Sequence, residues 1–228
     1  MLNRPHPKIL IMTAVEAERQ AVQRGLGSFG SADVELAGVG PASAAAATAA
    51  VLARAGQAAD GSGPYRLVLS AGIGGGFAGV AGVGSLVMAS EIIAADLGAE
   101  TPDGFAGVDE LGFGSPRIAV ADELATRWVA ALREAGLLVH HGPILTLSTV
   151  TGTVETARTL AKRYPSAGAE AMEGFGVAEA ARQFGVPALE LRAISNAVGP
   201  RQRELWKIGD ALQALEQACA KLPEVLLS

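Results

Sequence analysis

With 228 residues the chain suits one large domain or two small ones, and because half of those residues are hydrophobic a well-filled core is within reach. Charged residues make up only 18% and the net charge is −5, which argues against nucleic acid or an anionic membrane as a partner. The single cysteine, Cys219, excludes an intrachain disulfide and fits a reduced, cytoplasmic setting.

Met1 to Lys8 carries three charged or titratable side chains and two prolines. The apolar run after it, Ile9 to Met12, is too short for a signal-peptide core. The longest weakly polar stretch, Ala42 to Ala53, is alanine-rich and far below a membrane span. A soluble cytoplasmic protein is expected. Lys8 to Met12 reads as a buried first strand. Thr13 to Arg24 then passes from a loop into a helix, with Glu16 and Glu18 where the helix dipole favours acids.

Asp33 to Val39 is strand-like and ends in Gly38-Val39-Gly40, and Pro41 opens a helix that reaches about Ala55. Gly56 to Pro64 is a polar, glycine-rich surface loop. Arg66 to Ser70 is a short strand ending in the run Ala71 to Phe77, A-G-I-G-G-G-F. Such glycines admit a ligand close to the backbone and permit positive φ. No helix pattern opens directly after them, so the dinucleotide fingerprint is not matched. A tight connection between strands, with no ligand, is the plainer alternative.

Ser85 to Ala95 is a further strand, and Gly98 to Ser115 reads as an irregular, mobile loop. Asp122 to Ala135 is an amphipathic helix with Leu124, Trp128, Ala131 and Leu132 on one face and Asp122 as its cap. Leu137 to Thr149 is a strand region, Val154 to Arg163 a helix, and Lys207 to Leu222 a closing helix. Strands alternating with helices from end to end indicate an α/β fold with a largely parallel sheet.

The stretch Ala169 to Asn196 is the most telling. Glu173 stands at the head of a helix-like segment, and an apolar run from Pro187 stops at Ile194-Ser195-Asn196. Ligands of open α/β sheets sit outside the carboxyl ends of strands. Glu173 and Asn196 are therefore the first two residues to place in a site.

Four stretches together resemble the purine nucleoside phosphorylase and nucleosidase superfamily, in its hydrolytic branch. They are T-A-V-E-A-E-R from Thr13, G-V-G from Gly38, S-A-G-I-G-G-G-F from Ser70, and A-M-E-G-F-G from Ala171 with R-A-I-S-N from Arg192. Within that branch, A-A-D-L-G-A-E-T from Ala94 and the Asn of I-S-N look most like the futalosine hydrolases, and the methylthioadenosine/S-adenosylhomocysteine nucleosidases are the nearest relatives. The resemblance implies one catalytic domain over 1–228, a three-layer sandwich with a central mixed sheet, and hydrolysis of futalosine to hypoxanthine in the menaquinone route. It implies no cofactor and no metal. The implied partners are a small purine nucleoside and further copies of the chain, since the family usually builds its site near a subunit interface; no nucleic acid or membrane is implied. A non-catalytic nucleoside-binding protein is the alternative from another class.

Carried over residue by residue, the resemblance gives Glu18 the water and makes Glu16 structural. Met172 and Glu173 then hold the ribose hydroxyls, and Glu173 favours the cationic ring. Ile73, Gly74 and Gly75 wall the purine on one side, with Val150 and Thr151 on the other and Phe175 nearby; Trp206 lines the sugar and its 5′ end. Ile73, Val150, Phe175 and Trp206 are equally good core residues. Arg201, Arg203 and Lys207 are candidates for a 5′ carboxylate, against the commoner meaning of a solvated charged face.

Asn196 departs from the adenine-specific relatives, which carry Asp there. A 6-oxopurine offers an acceptor at O6, where Asp would set acceptor against acceptor. Asn can accept from N7–H and donate to O6. An unpaired buried polar group costs about 1–3 kcal/mol, enough to discriminate bases tenfold or more. Simple capping of the strand end is the alternative. Where the phosphorylases hold phosphate with arginine and a hydroxyl, this chain has Ser70 and Ile73. Without a charged clamp water is the expected attacker, unless Arg19 substitutes.

Overall fold

Along Lys8–Thr13, strand β1, successive side chains enter different cores: Ile9 and Ile11 join one apolar cluster, Leu10 and Met12 another. The run is apolar throughout because both faces of the strand are covered. A computed structural model describes residues 8–227; the reading of the segment before Lys8 lies outside them.

The order continues with α1 (Glu16–Leu26), β2 (Ala32–Leu36), α2 (Pro41–Arg54), β3 (Tyr65–Gly76), β4 (Leu86–Ala94), β5 (Gly98–Thr101), β6 (Gly104–Gly107) and β7 (Arg117–Ala119). Then come α3 (Asp122–Glu134), β8 (Val139–Thr146), α4 (Val154–Arg163), β9 (Ala169–Ala171), α5 (Gly174–Gln183), β10 (Ala188–Ala197) and α6 (Ile208–Leu227). Strands β1, β2 and β3 are parallel neighbours, as are β4, β8 and β9; β3 and β10 also run parallel, while β10 meets β4 antiparallel. The sheet is mixed, in the order β10-β4-β8-β9-β3-β1-β2. Because β10 also pairs with β3, five strands close into a ring. Buried residues of α1, α3 and α6 cover one face of the sheet, and those of α2 and α5 the other.

Four expectations need adjusting. Strand β3 does not end at Ser70 but continues through the glycine run to Gly76, because β10 and β9 supply partners along it. Gly98 to Ser115 is not irregular throughout: β5 and β6 form an antiparallel hairpin, and the Arg163 guanidinium lies 4.1 Å from the centre of the Phe105 ring. Asp122 is the first residue of α3, behind Ala121, and makes no capping hydrogen bond. Helix α6 runs past Leu222 with Pro223 inside its last turns. Among the described residues no helix is long and apolar enough to cross a membrane.

Candidate functional site

Two devices place the site at the carboxyl ends of β3 and β10. The first is the glycine run. Gly72, Gly74, Gly75 and Gly76 all lie in strand conformation with ordinary φ, so positive φ is not their purpose. Close approach is. A side chain on Gly72 would lie 2.5 Å from Glu18 Oε1 and 2.7 Å from Arg192 Nη1. The second is a β-bulge in β10. Ile194 pairs with Gly74 and Asn196 with Gly75, so Ser195 is an extra residue in the ladder. A bulge re-aims the side chain beside it. The Ser195 carbonyl accepts from the Lys207 N–H at 2.8 Å, which holds the Trp206 segment against the strand end.

Between these ends lies a cavity of about 290 Å³. Glu18, Met172, Glu173, Asn196, Ile73, Gly74, Gly75, Val150 and Trp206 all line it. Thr151 and Phe175 stand back from it. Phe175 packs against the α2/α5 core, and Thr151 is buried with both its polar groups bonded to Glu170. Arg201, Arg203 and Lys207 are exposed and outside the lining. A second cavity, about 270 Å³ between Phe77, Tyr164 and Val198, is lined by no carboxylate and offers no comparable chemistry.

Glu18 sits at the third position of α1 and is 3% exposed. Its Oε1 accepts from the Ile73 N–H at 2.8 Å, and Oε2 from the N–H groups of Ala14 and Val15 at 2.9 and 3.3 Å. The bond to Val15 also secures the helix start, so the helix-end and site readings of this residue coincide. A carboxylate has about four lone-pair sites, and three are taken by backbone donors. One remains for a water in the cavity. Burial pushes the carboxyl above the usual glutamate range; Arg192 and the backbone donors oppose this, and the neighbouring Glu173 adds to it. Glu16, by contrast, is on the surface, bonded to Arg19 at 2.8 Å and Gln20 at 3.0 Å. Arg19 lies outside the cavity lining.

Glu173 occupies the N-cap position of α5, with its side chain turned to other partners, and is 6% exposed. Its Oε1 accepts from the Gly40 N–H at 3.2 Å. Gly40 holds φ at +91°, a conformation that only glycine adopts readily. Oε2 lies 3.3 Å from Arg192 Nη1.

Arg192 was not anticipated as a site residue. It is 1% exposed, and its guanidinium donates to Glu190 at 2.8 Å and to the Ser70 hydroxyl at 2.9 Å. Burial works against its charge, but the carboxylates of Glu190, Glu173 and Glu18 outweigh that and hold it protonated. Burial likewise pushes the Glu190 carboxyl up, and Glu190 Oε2 has no hydrogen-bond partner. Ser70 therefore does have a cation beside it, but one already committed to carboxylates. Charges inside an apolar strand pattern, as in A-L-E-L-R-A, are the signal that could have found this pair: a two-residue period puts Glu190 and Arg192 on one face.

Asn196 Oδ1 accepts from the Ser195 hydroxyl at 2.8 Å and Nδ2 donates to the Ala197 carbonyl at 3.1 Å. These bonds set the amide's orientation. One lone pair and one N–H are left over, the pair of groups a base edge with one donor and one acceptor needs.

The phosphorylase superfamily matches residues 22–228 of this chain. The futalosine hydrolase of Streptomyces coelicolor is 53% identical over 235 aligned positions, spanning 96% of this chain and 97% of that protein. The futalosine hydrolase of Acidothermus cellulolyticus is 47% identical, spanning 94% and 90%. Among solved structures, the 5′-methylthioadenosine/S-adenosylhomocysteine nucleosidase of Helicobacter pylori, bound to butyl-thio-DADMe-Immucillin-A, superposes over 97% of both chains with a TM-score of 0.77. At 18% identity that likeness speaks for the fold alone.

Proposed function

The chain belongs to the phosphorylase superfamily, and from that premise we propose that it hydrolyses the N-glycosidic bond of futalosine, releasing hypoxanthine and dehypoxanthine futalosine. The observation that carries the reading is the convergence of Glu18, Glu173 and Asn196 on one cavity, from three distant parts of the chain. Water held by Glu18 attacks the anomeric carbon and gives its proton to that carboxylate. Positive charge developing on the ribose is stabilised by Glu173, which also accepts from the ribose hydroxyls. The base departs with the bonding electron pair, takes a solvent proton at N7, and is received by Asn196 through N7–H and O6.

Water rather than phosphate is the nucleophile. Every donor nitrogen of Arg192 faces an acceptor of the protein, so no free guanidinium lines the cavity to clamp an anion. Hypoxanthine as the leaving base, a single catalytic domain, a step towards menaquinone, a cytoplasmic setting and a homodimer or higher oligomer belong to the same proposal. Cleavage of methylthioadenosine or S-adenosylhomocysteine is the second reading, supported by the fold and opposed by Asn196, whose amide suits O6. Incubation with futalosine, methylthioadenosine and inosine, with and without phosphate, separates the readings. Phosphate-independent release of hypoxanthine from futalosine is expected. Adenine release alone overturns the Asn196 reading, and a phosphate requirement overturns hydrolysis.

A further inference from the structure

Glu170 has no part in the chemistry described above, yet its carboxyl is buried at the wall of the same cavity. It is 4% exposed and belongs to the short strand β9, where it pairs with Gly75 of β3. Its Oε1 accepts from the Thr151 N–H at 2.9 Å, and its Oε2 from the Thr151 hydroxyl at 2.5 Å. Of about four lone-pair sites on a carboxylate these use two, so two acceptor positions are left over.

Gly75 shows where those positions matter. At the point where Gly75 would carry a side chain, Val198 Cγ2 is 3.1 Å away, Asn196 Nδ2 3.3 Å and Glu170 Cγ 3.4 Å. The side chains of Asn196 and Glu170 thus come together over the Gly75 backbone, and both line the cavity. A 6-oxopurine presents three polar groups in succession around its rim: N7, then O6 at the corner, then a donor at N1–H. Asn196 satisfies the first two. The third requires an acceptor, and a 6-aminopurine, with a bare nitrogen at N1, requires a donor instead.

We propose that Glu170 is a base-specificity residue, accepting the N1–H of a 6-oxopurine so that Glu170 and Asn196 together read the base edge. This deepens the proposed function and rests on it. The Thr151 bonds hold the carboxyl in place, and burial makes an unpaired partner costly, so a base with the wrong N1 is rejected. Thr151 then serves the base indirectly, by fixing Glu170.

The test compares wild type with Glu170→Gln on futalosine and on the same nucleoside carrying adenine. Glutamine keeps an acceptor for Thr151 and can turn a donor towards N1. The expected result is a loss of about tenfold or more in kcat/KM on futalosine with a much smaller loss on the adenine nucleoside, narrowing the ratio between them. An equal loss on both substrates, or none, overturns the inference and leaves Glu170 a tether for Thr151. Binding of hypoxanthine and 1-methylhypoxanthine to the wild-type protein, by calorimetry, needs no variant and no turnover. The methylated base, lacking N1–H, should bind about tenfold more weakly or worse; equal binding overturns the inference. If wild type binds hypoxanthine with this preference but cleaves no futalosine, the proposed function falls and the role of Glu170 stands.

Discussion

Glu18 is pulled in two directions. Its proposed role as the base needs a charged carboxylate, and its burial favours the neutral acid. Because the charged form accepts the proton from water, activity should fall as pH drops through a pKa that lies above the ordinary glutamate range. The acid limb of kcat/KM against pH should accordingly sit higher than for a free glutamate, and a limb at or below the ordinary value would speak against Glu18 as the base. Glu18→Gln should lower kcat by about 10²–10⁴-fold while leaving substrate binding largely intact, checked by single-turnover base release and calorimetry. At Asn196 the expected change is in selectivity. Asn196→Asp should weaken turnover of futalosine about tenfold or more and improve that of the adenine nucleoside, read from the bases released. These residues were legible in the sequence as types at marked places. Arg192 stands in the same motif as Asn196, but its surroundings depend on three carboxylates that sequence distance does not bring together.

At the scale of elements, the glycine run and the β10 bulge decide where the side chains point. Gly72 is the sharpest case. Gly72→Ala places a methyl against Glu18 Oε1 and Arg192 Nη1, and Arg192 is packed too tightly to retreat. The protein should still form its sheet, since φ at this residue is ordinary, but kcat/KM should fall by about 10²-fold or more as Glu18 is displaced. Circular dichroism alongside futalosine kinetics checks both halves. Most strands and helices could be placed from apolar periodicity and from the proline opening α2. The glycine run reads locally as the end of a strand, because local preference disfavours glycine in strands, whereas neighbouring β10 and β9 supply the ladder. The hairpin of β5 and β6 was missed for a related reason: its eight residues are mostly small or polar and carry no alternating pattern.

For the molecule as a whole, the mixed sheet brings the site together while two apolar layers hold it rigid. Trp128 of α3 is wholly buried between the helices of one layer, and its indole N–H donates to the Ala218 carbonyl of α6 at 3.2 Å. Trp128→Ala should cost about 3–5 kcal/mol in urea unfolding. Trp128→Phe should cost less, since it keeps most of the buried ring and loses only the bond to Ala218. Neither should change kcat/KM of the folded protein, since α3 contributes nothing to the cavity lining. Altered kinetics would show that this layer sets the site geometry.

The sequence by itself determined the α/β class, the order of the main strands and helices, and the residue types that the proposed chemistry needs: an acid on the first helix, an acid before α5, an amide at the end of β10. Those are local properties, written in periodicity and in motifs at the ends of elements. The tertiary structure alone decided that β10 lies between β3 and β4, that Ser195 bulges, and that Glu190, Arg192 and Glu170 stand behind or beside the proposed catalytic groups. Those depend on which strands pair and how closely their backbones approach. Asn196 stands out in the sequence as a base-reading amide; in the fold it meets, over Gly75, the side chain of Glu170, 26 positions earlier in the chain.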